Sequence, residues 1–291
     1  MDRIGIASGP RSSLRMVNTM KIKYRFTFRW SEARVSQLES IGLEVDSTPN
    51  PGGPFGGIGI SHAVEGAPGW AEACDLIREW GGRTTVTTEF TSAEVDSAAH
   101  CALQLVHASG YPQPEDDFAY LEQTYDVSKR CSKCGEGAVQ VAPFRVKRTL
   151  KWGRNAFLKL NWVEEACFMQ RPVWEEHFSG FGIAVLPVED TKGKELDEVV
   201  QLDLGPAVPL SMGDVEGIRC DVCGRERFPW HDRGFFPAPI AAPELPLFRS
   251  AQRFGVENQC ANGMIVSADV VKAIKNAVLR GAELWPCMPS G

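Results

Sequence analysis

Four cysteines are candidate metal ligands because they form two short motifs of the same pattern. Cys131-Ser-Lys-Cys134-Gly135 and Cys220-Asp-Val-Cys223-Gly224 each hold two thiols separated by two residues and followed by glycine. Such a turn lets both thiolates bind one metal ion, and glycine readily adopts the positive φ that the turn needs. Together the two motifs complete a closed tetrahedral shell. The sequence therefore predicts one structural zinc ion bound by Cys131, Cys134, Cys220 and Cys223.

The same thiols have two alternative interpretations, a redox pair and unligated side chains. A thioredoxin-type pair opens an amphipathic helix behind a buried strand, and neither motif has that context. Nine cysteines in 291 residues are too few for a disulfide scaffold, and an odd number cannot pair completely. Reduced thiols in a cytoplasmic protein are the favoured reading. Cys167 and Cys260 follow the two motifs at matching places, where core packing is favoured over a second pair of ligands.

Basic residues between positions 145 and 159 form a second candidate site, interleaved with Trp152 and Phe157. They are Arg145, Lys147, Arg148, Lys151, Arg154 and Lys159. This face could bind RNA, DNA or an acidic protein, or it could be a solvated hairpin edge. The net charge of −6 argues against a general nucleic-acid binder, because neutralising phosphates requires a surplus of Lys and Arg. No apolar run approaches the roughly 18 residues of a membrane span, so no membrane partner is expected.

The elements that must position these residues divide the chain into two predicted domains. The first, 20–110, follows a disordered tail at 1–19, and translation could start at Met1 or Met20. Its predicted elements are a strand at 21–30, a helix capped by Ser31, a helix at 70–80, a strand at 84–90 and a helix opened by a Thr91–Glu94 capping box and extending to Val106. This order predicts an α/β-type domain, joined by a linker at 111–127 to the second domain.

The second domain, 128–291, reads as two related units in an α+β fold. Each unit runs from a cysteine knuckle through a strand and a helix to a strand that ends in Pro. The first unit has strands at 163–167 and 182–187 around a helix from Val173. The second has a strand at 256–260, a helix from Ser267 to Gly281 and a closing strand at 281–286. Two such units, each supplying two cysteines, would be stapled together by the zinc ion.

The paired motifs, together with Leu247-Phe248-Arg249 and the segment from Ile265-Val266-Ser267 to Leu284-Trp285-Pro286, resemble the double-CXXCG motif family. This family is known mainly from myxobacteria, and some of its members are assigned as immunity proteins that protect a cell from a toxin exchanged between kin. The similarity covers about residues 128–291. It implies a non-enzymatic protein whose partner is a cognate toxin. Family members usually carry the first motif nearer the N-terminus, and residues 20–110 have no counterpart in the family.

Three functions therefore compete at this point. The first is a non-enzymatic immunity-type protein that binds and neutralises a cognate bacterial toxin, with zinc holding its binding domain. The second is an enzyme with an active site between the two domains. The third is a zinc-dependent nucleic-acid-binding protein that uses the basic residues 145–159. The sequence contains no Gly-x-Ser-x-Gly or His-Glu-x-x-His motif, so no catalytic residue is predicted.

Overall fold

The computed structural model describes residues 19–48, 57–241, 243–256 and 259–289. The predicted tail therefore lies outside the described residues, except for Thr19. Helices and strands are mixed, and nearly all strand pairs are antiparallel, which confirms the predicted α+β class.

The N-terminal part of the fold is a four-stranded sheet with two helices against it. Its elements are β1 (Lys21–Arg29), α1 (Glu32–Ser40), β2 (Val45–Thr48), β3 (Ile58–Val64), α2 (Trp70–Glu79), β4 (Arg83–Glu89) and α3 (Ser92–Ser97). The strand order is β2-β3-β1-β4, and every pair is antiparallel. Phe26 and Phe28 of β1 are buried against Leu38 of α1 and Ile77 of α2. The alternation of apolar residues in β1 therefore places one face of the sheet on the helices.

Two larger sheets are formed by the rest of the chain. The remaining strands are β5 (His100–Leu105), β6 (Tyr125–Asp126), β7 (Val139–Gln140), β8 (Phe144–Val146), β9 (Phe157–Leu158), β10 (Phe168–Gln170), β11 (Val185–Asp190), β12 (Glu195–Leu202), β13 (Ala207–Val208), β14 (Ile218–Arg219), β15 (Glu226–Arg227), β16 (Leu247–Val256), β17 (Gln259–Ser267) and β18 (Ala282–Pro286). The remaining helices are α4 (Tyr120–Thr124), α5 (Arg171–His177) and α6 (Ala268–Asn276). One five-stranded sheet has the order β8-β11-β12-β10-β9, and the other has the order β13-β16-β17-β5-β18.

The predicted helix from Thr91 to Val106 is wrong in its second half. The capping box forms as predicted, with the Thr91 hydroxyl accepting from the Glu94 amide, but α3 ends at Ser97. Residues 100–105 instead form β5, which lies between β17 and β18 and pairs with both. Side chains on both faces of this strand are buried, so the alternation that marks a surface strand is missing. The predicted boundary near residue 110 therefore falls after a strand of the C-terminal sheet.

Each five-stranded sheet contains a strand-helix-strand unit split by a third strand. α5 connects β10 to β11, and both strands lie antiparallel to β12 between them. α6 connects β17 to β18, and both lie antiparallel to β5 between them. The element types follow the predicted order, but the boundaries differ: β10 begins at Phe168, and α6 ends at Asn276 rather than at Gly281. Val278, which lies within the predicted helix but beyond the end of α6, is 70% exposed.

One hydrophobic core lies between the two five-stranded sheets. It contains Phe157 and Met169 from one sheet, Met264 from the other, and Val270 and Ile274 from α6. Polar and aromatic contacts attach the N-terminal sheet to this body. The amide of Gly234 donates to Thr88 Oγ1 at 2.8 Å, Arg233 forms an ion pair with Glu65, and the ring centroids of Phe90 and Phe235 are 5.5 Å apart. None of the helices within the described residues is long and apolar enough to cross a bilayer.

Candidate metal centre

The two cysteine motifs fold into turns with the same hydrogen bonds. In the first, the amide of Cys131 donates to the carbonyl of Glu136 at 2.7 Å and that of Gly135 donates to the carbonyl of Cys131 at 2.9 Å. In the second, the amide of Cys220 donates to the carbonyl of Arg225 and that of Gly224 to the carbonyl of Cys220, both at 2.9 Å. Gly135 and Gly224 have φ values of 72° and 71°, a conformation in which a residue with a side chain would be strained.

The four sulfur atoms converge on one point although the motifs lie 89 residues apart. All four lie within 4.8 Å of one another. The Sγ atoms of Cys131 and Cys220 are 3.9 Å apart, and those of Cys134 and Cys223 are 3.6 Å apart. Four thiolates around zinc at about 2.3 Å would be separated by about 3.8 Å along each tetrahedral edge. The arrangement therefore fits a metal ion bound tetrahedrally by four cysteines, and it brings together all four predicted ligands.

Backbone dipoles prepare one thiol in each knuckle to bind as thiolate. The amides of Cys134 and Lys133 lower the pKa of Cys131 to about 6. The amides of Cys223 and Val222 lower the pKa of Cys220 in the same way. Burial instead raises the pKa of Cys134 to about 12. A divalent cation would supply the positive charge that this buried thiol needs in order to ionise.

We expect acidification to remove the metal. Protons compete with a metal ion for thiolate ligands, because each thiol must be deprotonated to bind. Stability from the metal should therefore be present near neutral pH and be lost as the pH falls. A chromogenic zinc chelator, read during a titration from about pH 8 to about pH 4, measures the release. Full retention at the acidic end would contradict thiolate ligation.

Side chains also connect one knuckle to the other. Arg225, next to the second motif, donates from Nη1 to the carbonyl of Glu136 at 3.0 Å and to that of Lys129 at 3.3 Å. Lys133 and Asp221 form an ion pair across the gap at 2.7 Å, with both side chains largely exposed. The Glu136 carbonyl also accepts the Cys131 amide. The Arg225 guanidinium therefore binds the same carbonyl that closes the first turn.

Replacement of Arg225 by alanine should lower zinc affinity about tenfold, because groups that orient ligands typically contribute that much. Asp221→Ala is the matched control from the same knuckle. Its exposed pair with Lys133 is screened by solvent and should contribute little to stability. Competition with a fluorescent chelator measures both affinities. Equal affinities for the two variants would show that Arg225 does not orient the ligands.

A buried ion cluster lies next to the first knuckle. Arg253 Nε is 2.7 Å from a carboxylate oxygen of Glu136, and Nη2 is 3.1 Å from Glu165. The same guanidinium donates to Asn262 Oδ1 at 3.3 Å and to the carbonyl of Cys260. Burial raises the pKa of Glu136, whose side chain is 7% exposed, and the charge on Arg253 opposes this shift. The cluster joins the knuckle to β16 and β17, and nothing in the sequence patterns marked it.

Cys167 and Cys260, the other cysteines considered as ligands, lie outside the four-sulfur group. Cys167 is fully buried in the core between the two sheets. Cys260 is 9% exposed on β17, where burial and the nearby carboxylate of Glu136 raise the pKa of its thiol. Among the described residues, the potential metal-ligand group comprises only Cys131, Cys134, Cys220 and Cys223.

Comparison of the chain with protein-family models, with curated proteins and with solved structures finds no significant match.

The predicted basic face is largely paired with carboxylates. The pairs are Arg145 with Glu189, Lys147 with Glu115, Arg148 with Asp190 and Lys159 with Glu164. Lys151 and Arg154 lie on the irregular segment between β8 and β9, with exposed side chains. The positive charge of this segment is therefore partly neutralised by carboxylates, three of which are distant in the sequence, and a local count of Lys and Arg does not reveal them.

A cleft of about 320 Å³ opens where β5 and β17 separate. The two strands pair only over residues 100–102 and 265–267. Beyond these pairs, Leu103–Leu105 pairs with β18, and the earlier part of β17 pairs with β16. Lys159, Glu164 and His231 line the cleft, and burial lowers the pKa of His231, which favours a neutral imidazole. Sequence patterns gave no signal for this cleft, because it depends on how two distant strands diverge.

Proposed function

We propose that the chain binds one structural zinc ion through Cys131, Cys134, Cys220 and Cys223. Support comes from the tetrahedral spacing of the sulfurs and from thiolate chemistry, for which zinc is the usual structural partner in reduced compartments. With four protein ligands the coordination shell is closed, so the ion holds the fold and leaves no position for substrate. The reduced thiols and the zinc site are consistent with the cytoplasmic location that we propose.

We also propose that the two halves of the metal site come from two related units. Each knuckle precedes an antiparallel strand pair, a helix and a returning strand: β9, β10, α5 and β11 in one case, and β16, β17, α6 and β18 in the other. In both, a strand from outside the unit separates the two parallel strands. A duplicated unit accounts for two knuckles with matching hydrogen bonds. The metal staples one unit to the other.

The function that we propose is that of a non-enzymatic immunity-type protein which binds and neutralises a cognate bacterial toxin. The observation that carries the proposal is the meeting of two Cys-x-x-Cys-Gly turns in one closed site, because paired motifs of this kind are the basis of the resemblance to the double-CXXCG motif family. A closed structural metal suits a protein that presents a rigid surface to a partner. Preorganised surfaces bind more tightly because less conformational entropy is lost.

The test is protection from a toxin encoded beside this gene. The full-length protein should restore growth to cells that express the toxin, and the two purified proteins should form a stable complex. Cys220→Ser, which removes one metal ligand, should reduce both protection and binding. Absence of protection against every product of the neighbouring genes would reject the immunity function.

The cleft between β5 and β17 favours the enzyme as second candidate, because Glu164 and His231 are acid-base groups at its wall. The two candidates predict different results in the same growth assay. Glu164→Gln and His231→Ala should protect as well as the unaltered protein if it acts by binding the toxin. Loss of protection in these variants, with unchanged toxin binding, would favour catalysis.

A further inference from the structure

An exposed group of aromatic side chains combines two residues from the segment before the first knuckle with one from the loop after β9. Tyr111, Phe118 and Trp162 are 41%, 51% and 47% exposed. The Trp162 ring centroid lies 4.5 Å from that of Tyr111 and 4.7 Å from that of Phe118. Tyr120, which is buried, lies at 6.3 Å and is stacked at 21°. We call Tyr111, Phe118 and Trp162 the aromatic patch. Because exposed apolar clusters of this kind commonly mark protein interfaces, the patch requires an explanation.

The backbone at the patch adopts conformations that bulky residues rarely accept. Asp117, Phe118 and Trp162 have φ values of 50°, 57° and 70°. Only Val278 shares this property among the described non-glycine residues. Such conformations cost free energy and persist where surrounding contacts hold them. Here Asn161 donates to the carbonyl of Gly110 from both its amide, at 2.9 Å, and its side chain, at 2.7 Å. These bonds hold the backbone before Trp162 next to the backbone before Tyr111, so the rings meet where the chain is strained.

The segment that carries Tyr111 and Phe118 is acidic. Residues 110–128 contain five carboxylates and no Lys, Arg or His; the carboxylates are Glu115, Asp116, Asp117, Glu122 and Asp126. Asp116 and Asp117 are exposed and immediately precede Phe118. Glu115 is already paired with Lys147. Aromatic faces attract cations, and the attraction grows when carboxylates lie beside the ring. The patch therefore suits a guanidinium or ammonium group.

We propose that the aromatic patch is the docking site for a basic protein partner, whose Arg side chains stack on Trp162 and pair with Asp116 and Asp117. This proposal rests on the proposed immunity function, and it assigns the toxin a basic contact surface. Arg is favoured over Lys because its planar group can stack on the indole and bond a carboxylate at the same time. Trp and Tyr side chains in such positions contribute a large share of the binding energy at interfaces.

The first test uses a peptide probe and needs no toxin. An eight-residue peptide of alternating Gly and Arg is titrated into the zinc-loaded full-length protein, and a peptide with citrulline in place of Arg is the uncharged control. Trp162→Ala should weaken Arg-peptide binding about tenfold, and Trp162→Phe should restore part of it. Trp230→Ala is the matched control, since Trp230 is 43% exposed but lies outside the patch.

Each outcome of the peptide test decides the proposal. Binding that weakens with salt, needs Arg and depends on Trp162 supports it, provided that the melting temperature of Trp162→Ala is close to that of the unaltered protein. If that variant unfolds, Phe118→Ala and the double variant Asp116→Asn with Asp117→Asn replace it. Equal Arg-peptide affinity in the patch variants and the Trp230→Ala control would overturn the proposal.

The growth assay separates the patch from the immunity function. Protection by the unaltered protein and its loss in Trp162→Ala supports both. Protection by both proteins keeps the immunity function and rejects the patch as the toxin site. If the unaltered protein does not protect, the immunity function fails, and the peptide titration alone decides whether the patch binds basic segments.

Discussion

Replacement of Cys220 by serine is expected to release the metal and to destabilise the C-terminal half of the protein. Three thiolates remain, but serine is a poor zinc ligand, and the shell that joins the two knuckles is broken. Structural zinc contributes roughly 10–16 kcal/mol of apparent binding energy in small peptides. We expect a loss of several kcal/mol here, since the surrounding sheets also hold the knuckles. Elemental analysis measures the zinc content, and thermal melting measures the stability.

The control for this variant is Cys74→Ser. Cys74 lies on α2 against the N-terminal sheet and is not part of the four-sulfur group. The Cys74→Ser variant should therefore retain about one equivalent of zinc. Hydrogen exchange should locate the loss in Cys220→Ser within the two five-stranded sheets. One equivalent of metal and unchanged melting in Cys220→Ser would contradict the Cys₄ assignment.

The second large effect is expected for Arg253→Met. The variant leaves the carboxylates of Glu136 and Glu165 without their cation in a site where both are at most 30% exposed. Removal of one partner of a buried ion pair costs about 3–5 kcal/mol, because the remaining charge stays desolvated. Glu136 directly follows the first knuckle, so zinc affinity should fall as well. Urea denaturation gives the free energy of unfolding, and chelator competition gives the affinity.

The triple variant Arg253→Met, Glu136→Gln, Glu165→Gln separates charge from packing. It removes all three charges and should recover much of the lost stability, since neutral groups cost less to bury. If the free energy of unfolding of Arg253→Met alone is within about 1 kcal/mol of that of the unaltered protein, water reaches the carboxylates and the cluster is not a structural anchor.

The turns that carry the four cysteines could be predicted from the sequence because their information is local. Two residues between the cysteines and one glycine after them set the geometry of each turn. Helix ends were predicted for the same reason: the Ser31 side chain accepts the Arg34 amide, and Thr91 and Glu94 bond each other as the capping box requires. Such signals depend on neighbours within a few residues and do not require contacts with distant parts of the chain.

The features that escaped prediction all depend on distant partners. The pattern of His100–Leu105 predicts a helix, because side chains on both faces of this strand are buried and the alternation of a surface strand is absent. Arg253 meets Glu136 and Glu165 from another part of the chain, and the cleft exists only because β5 and β17 diverge. The predicted linker at 111–127 includes α4, whose Tyr120 is buried against the sheet of β8 to β12. No local sequence pattern encodes these long-range contacts.

The position of β5 has a consequence for how the protein must fold. Ala102 pairs with Ile265 on one side and with Trp285 on the other. A strand from the first half of the chain therefore pairs with two strands near its C-terminal end. Contacts of such long sequence separation slow folding. A fragment that starts at residue 128 would keep all four cysteines but would lack the strand between β17 and β18. The half that carries the four cysteines is thus not autonomous: the sheet β13-β16-β17-β5-β18 takes its strand β5 from the region before residue 128, whereas every strand of the other five-stranded sheet lies after that residue.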